Sequence, residues 1–186
     1  NLEERFFALV RQYDENPVTI NLVEPETGER YETLMDGAAL RSVLFQLLYV
    51  ARMHAVLPKV VHDLEQGDTR YMESMWPLFI FDQLISEGMY YSVICAEDAD
   101  IDVTQIPIDT IRPEIGETAR DDIQSYVETC ARWQVELLPS SVDDPVVSDI
   151  PTLLLSGRFD PITPPAFATA AAAGLSNATT LVDPTA

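Results

Sequence analysis

The chain has 186 residues, 47% hydrophobic and 23% charged, so it can bury a core and is not disordered by composition. Eleven Lys and Arg against 31 Asp and Glu give a formal net charge of −20. That balance excludes nucleic acid as a partner, disfavours an anionic membrane surface and suits a cationic or amine-bearing partner.

Leu2, Phe6, Leu9, Val10 and Tyr13 recur at steps of three and four and predict a helix over 2–13. Asn16-Pro17 ends it, because the residue before a proline is pushed out of the α region. Val18 to Val23 alternates apolar and polar side chains, Pro25-Glu26-Thr27-Gly28 reads as a turn, and Tyr31 to Met35 as a returning strand, which makes a β-hairpin at 18–35. Asp36 is a suitable N-cap for a helix over 37–55 with Leu40, Val43, Leu44, Leu47 and Leu48 as its stripe. Pro58 opens a shorter helix to about Glu65, and Gly67-Asp68 ends it. A helix over about 69–86 is rich in aromatics and kinked at Pro77.

Tyr90 to Ala96 is a strand-like apolar run that ends in Glu97-Asp98. Residues 99–116 read as loop, and 117–134 as an amphipathic helix with Ile123, Tyr126, Val127 and Cys130 on one face. Residues 138–150 form a Pro/Ser/Asp linker, the best internal boundary. An alanine-rich helix over about 165–174 and a strand over 179–182 complete the chain. No apolar run reaches the roughly 20 residues that span a bilayer. The chain starts at Asn1 with neither an initiator Met nor a signal-peptide pattern, which points to a fragment or a processed chain.

The strongest chemical signal runs from Pro151 to Pro165. Thr152 to Leu155 is a short continuous apolar run, the pattern of a strand buried on both faces of a parallel sheet. It delivers Asp160 just past its C-terminal end, where open α/β sheets place functional groups. Thr163 offers a cap for the helix that follows, and Pro164 or Pro165 suits its first turn. The plainer reading makes Asp160 a turn former beside Pro161.

This segment resembles the acid-bearing strand and turn of α/β-hydrolases, where a P-x-L-L-L-x-G-x-x-D-x-x-T-P run carries the Asp of a Ser-Asp-His triad. Further features resemble the tripeptidyl aminopeptidase and proline iminopeptidase-like branch. They are Asn16-Pro17-Val18 with Pro25-Glu26-Thr27-Gly28, Leu48-Tyr49, Leu57-Pro58, Gly67-Asp68, Ile94-Cys95-Ala96-Glu97-Asp98 and Cys130-Ala131-Arg132-Trp133. The resemblance implies an α/β fold class: a partial α/β-hydrolase fold with a mainly helical cap and a β-hairpin. Residues 1–137 would be that cap with its return to the core, and residues 138–186 part of the core with the triad acid, Asp160.

The fold orders its triad Ser, Asp, His. No Gly-x-Ser-x-Gly elbow occurs in the chain, and no His follows Asp160. The expectation is therefore a C-terminal part of a longer hydrolase, inactive alone; the alternative is a catalytically dead homologue. The implied activity is a serine peptidase that removes residues or short peptides from free N-termini through an acyl-enzyme. An esterase or another small-molecule hydrolase, or an acidic binding module, are the other readings.

Glu97 and Asp98 would anchor a substrate's free α-amine by charge-assisted hydrogen bonds, or form an acidic loop in an acidic protein. The resemblance pairs Cys95 with Cys130, which would imply an oxidising compartment outside the cytoplasm; otherwise they are two buried thiols. His54 and His62 lack the spacing of a helical metal pair and read as structural or surface residues. No metal or cofactor is expected. Trp76, Phe79, Phe81, Tyr90 and Tyr91 are either helical core or the lining of an apolar substrate pocket in a cap. A cap separated from its core exposes the face it normally buries, so self-association is expected.

Overall fold

The structure is a computed structural model that describes residues 1–82 and 86–185. It forms two compact units, residues 1–81 with 145–186 and residues 82–144. Among the described residues it is mixed, with eight α-helices and four strands in two small sheets, compatible with a partial α/β-hydrolase fold.

In the first unit, helix α1 (Leu2–Glu15) starts at Asn1, whose side chain accepts from the Glu4 amide at 3.1 Å. Strands β1 (Val18–Val23) and β2 (Arg30–Met35) pair antiparallel, from Val18 opposite Met35 to Val23 opposite Arg30. The period-two alternation turns Ile20 and Leu22 inward. At the hairpin's end the Glu24 carboxylate accepts from the Glu26 and Thr27 amides and the Thr27 hydroxyl. Gly28 there sits at φ +72°, a backbone region that favours glycine.

Helix α2 (Gly37–Leu48) is capped by Asp36, whose Oδ1 accepts from the Ala39 amide at 2.8 Å. Gly37 lets α2 meet α1 closely, since a Cβ there would stand 2.3 Å from the Val10 carbonyl oxygen. Contrary to the helix expected over 37–55, α2 stops at Leu48, and a 3-10 turn occupies Ala51–Met53. Helix α3 (Leu57–Glu65) is tied to α1 by a bidentate pair, with Arg5 Nε 2.7 Å from Glu65 Oε1 and Nη2 2.5 Å from Oε2. The helix expected over 69–86 is two short ones, α4 (Arg70–Met75) and α5 (Pro77–Ile80), broken where Pro77 cannot donate a backbone hydrogen bond; residues 83–85 lie outside the described residues. The core gathers Phe7, Leu9, Val10 and Tyr13 of α1, the hairpin, α2, α3 and Met72.

The second unit corrects two expectations. The apolar run at 90–96 is not a strand but lies within helix α6 (Glu87–Asp98). Residues 99–116 are not all loop: they hold 3-10 turns at Val103–Gln105 and Ile108–Thr110 and the start of helix α7 (Pro113–Trp133). The Cys95–Cys130 disulfide joins α6 to α7, with Cα atoms 5.1 Å apart. Around it Tyr126 donates its hydroxyl to the Ile94 carbonyl at 2.7 Å, and Trp133 Nε1 donates to Ser92 Oγ at 3.1 Å.

The chain then re-enters the first unit. Strand β3 (Thr152–Gly157), helix α8 (Pro165–Ala172) and strand β4 (Ala178–Asp183) make a parallel β-α-β turn, with Thr152 opposite Ala178 and Leu155 opposite Leu181. The expected burial of β3 on both faces does not hold. Leu153 is 57% and Leu155 70% exposed. Alternation sends them to the face opposite Leu154, and the one crossover helix packed on this two-stranded sheet leaves that face open.

Candidate active site

Asp160 stands three residues beyond the end of β3. Its Oδ1 accepts from the Ile162 amide at 2.8 Å and the Thr163 amide at 2.9 Å, and its Oδ2 from the Thr163 hydroxyl at 2.7 Å. An Asp two residues before an amide that must turn back folds in this way, because its carboxylate replaces the missing backbone partner. Thr163 thus serves Asp160 rather than capping α8, whose N-cap is Pro164.

The bonds from the Thr163 amide and hydroxyl, then the Ile162 amide, hold the Asp160 carboxyl below its ordinary value; desolvation opposes them. The group is therefore ionised at neutral pH. Three donors fill three of the roughly four acceptor positions of a carboxylate, so Oδ2 keeps room for one more donor. The turn-former reading is correct as geometry, and it leaves the carboxylate usable.

An open cleft of about 500 Å³ borders this turn. Leu48, Tyr49 and Ala51 line one side, and Phe159, Asp160, Ile162 and Thr163 the other. The lining is mostly apolar around one fixed negative charge. Tyr49 also meets Phe45 edge-on, with centroids 5.5 Å apart. The helix expected over 37–55 concealed this wall, because Tyr49 and Ala51 face the turn only once α2 has ended.

Glu97 and Asp98 belong to the other unit and are exposed in the last turn of α6, not at a strand end. Carboxylates there add to the negative end of the helix dipole. Burial raises the Tyr126 hydroxyl above its ordinary value, and the negative charges of Asp98 and Glu97 add to that. The two cysteines are brought together as the resemblance implied, Cys95 1% and Cys130 7% exposed.

His62 is a surface residue, its Nδ1 3.8 Å from Glu65 Oε2. His54 lies beyond the end of α2: it follows the 3-10 turn, and its ring bonds the Leu48 carbonyl. Trp76 and Phe79 pack against the core, and Phe81 stacks on Tyr31 at 5.3 Å, so these aromatics serve packing. Among the described residues no group of three or more His, Cys, Asp or Glu side chains is placed to hold a metal ion, and no helix is long and apolar enough to cross a membrane.

Residues 117–186 match the family model described as TAP-like protein, and Asp160 falls inside that stretch. Comparison with curated proteins and with solved structures finds no match. With the ionised aspartate held past the end of a parallel strand, the family match supports an α/β-hydrolase family for this chain and a hydrolase-like function at that level.

Proposed function

We propose that this chain supplies the acid of a Ser-Asp-His triad to a serine hydrolase acting as an aminopeptidase. The observation that supports it most is the ionised Asp160 carboxylate, fixed beyond β3 with one acceptor position open. In the proposed cycle Asp160 Oδ2 accepts Nδ1–H of a histidine, fixes its tautomer and stabilises the imidazolium. The histidine takes the proton of the serine as its oxygen attacks the scissile carbonyl. It gives that proton to the leaving amine, and water then hydrolyses the acyl-enzyme. This reading assigns the serine and the histidine to parts of the protein outside these 186 residues, with 1–137 mostly cap and 138–186 part of the core.

Glu97 and Asp98 are the proposed anchor for the substrate's α-ammonium group, a fit of charge between an acidic helix end and a cation. The disulfide suits a location outside the reducing cytoplasm. The aminopeptidase reading and the anchor are tested on the protein expressed from its full reading frame. Aminoacyl arylamides with a free α-amine are expected to be cleaved and their N-acetylated forms left intact. Turnover of simple esters alone would overturn the aminopeptidase reading. Glu97→Gln with Asp98→Asn is expected to raise KM for free-amine substrates, and an unchanged KM would remove the anchor.

A further inference from the structure

The acid-bearing turn meets the rest of its unit through a histidine that the triad reading does not use. His54 Nε2 lies 2.9 Å from the carbonyl oxygen of Leu48. A carbonyl only accepts, so Nε2 carries the hydrogen. Leu48 is the last residue of α2, where carbonyls have run out of helical partners, so His54 caps that helix with its side chain. The same ring meets Phe159 edge-to-face, with centroids 5.6 Å apart and planes at 86°. That is a favoured aromatic geometry.

Phe159 immediately precedes Asp160. The guanidinium carbon of Arg158 lies 5.6 Å from the Phe159 centroid, and the Arg158 amide donates to the Asp183 carbonyl at 2.9 Å. The bonds to the Asp160 carboxylate come from its own turn, residues 162 and 163. They make the turn rigid within itself but do not aim it. Arg158 ties its beginning to the end of β4, and the His54–Phe159 contact ties it to the opposite wall of the cleft.

We propose that His54 is a positioning residue: held by the end of α2, it sets the direction of the Asp160 turn through the Phe159 ring. Its catalytic consequence rests on Asp160 being the triad acid; its structural consequence does not. Amide hydrogen exchange at Ile162 and Thr163, the two donors to Oδ1, reads the turn directly, with α1 amides as the internal reference for global stability. His54→Ala and Phe159→Ala are each expected to speed exchange at these two amides about 2- to 10-fold, the worth of one aromatic pair, with the α1 amides unchanged. The double variant is expected to match the singles, because both remove one contact. His54→Phe, which keeps the ring but loses the bond to Leu48, should retain part of the protection, and His54→Gln, which keeps only a donor, should lose it.

In the protein expressed from its full reading frame the same loss is expected in kcat at constant KM. Unchanged exchange in His54→Ala, additive effects in the double variant, or native protection in His54→Gln would overturn the proposal. Since Phe159 is half exposed, Phe159→Ala keeps the test open if His54→Ala does not fold. Exchange that responds while kcat does not would support the positioning and overturn its catalytic consequence.

Discussion

Every buried residue of the main core lies between Phe7 and Met72, whereas Leu153, Leu155 and Leu181 beside the acid-bearing turn are each more than half exposed. Both regions belong to one compact unit, and both contain a small sheet. The first is closed by one buried face of its hairpin packed against the inward faces of its helices. The second holds its shape by strand pairing and by the hydrogen bonds of Asp160 to its own turn. Stability is thus concentrated away from the candidate chemistry, and the candidate acid is held by short-range geometry.

Truncation should separate the two regions most sharply. Leu40→Ala in the core is expected to cost about 2–5 kcal/mol, while Leu155→Ala, at 70% exposure, should stay within about 0.5 kcal/mol. Denaturant unfolding of the two variants checks this, and equal losses would abolish the contrast. The other unit offers a third case, because Cys95 and Cys130 are its buried apolar side chains among the described residues. Their bond closes 35 residues, and Cys95→Ser with Cys130→Ser should destabilise residues 82–144 by about 3–4 kcal/mol in the chain-entropy account. Hydrogen exchange should show the loss there, with α1 to α3 unaffected.

The open face of β3 and β4 gives a weaker, concentration-dependent effect. We expect the chain to self-associate through Leu153, Leu155 and Leu181, and Leu153→Asp with Leu155→Asp to return it to the monomer in sedimentation velocity. Identical sedimentation of the two would count against that face.

The part closed by burial was also the most readable in the sequence. The steps of three and four in α1 and the alternation of β1 follow from faces that are in fact buried, so periodicity and structure agree. Tyr90 to Ala96 misled because β-branched and aromatic residues favour strands, while pairing with α7 through Cys95 and Tyr126 decides for a helix. The position of Asp160 was legible from the strand, the Asp-Pro pair and the Thr-Pro that follows. The cleft was not, because no local pattern announced that α2 ends at Leu48 and brings Tyr49 and Ala51 to face the turn.

The smallest effect is that of surface ion pairs on pH dependence. Arg70 holds the Asp68 carboxyl at about 2, and Arg5 lowers that of Glu65. A carboxyl lowered by folding contributes stability above its unfolded value and loses it as pH falls through the folded one. The Tm advantage of the native chain over Asp68→Asn should therefore be full at neutral pH and disappear between about pH 4 and pH 2. A constant difference across that range would mean that the pair does not form.

The central claim, that Asp160 orients a catalytic histidine, is tested most directly by kcat of Asp160→Asn in the protein expressed from its full reading frame. The amide keeps the shape of the carboxylate but cannot hold the histidine in the required tautomer. A fall in kcat of about 10³- to 10⁴-fold with KM nearly unchanged is predicted; turnover within a few-fold of the native enzyme would contradict the account.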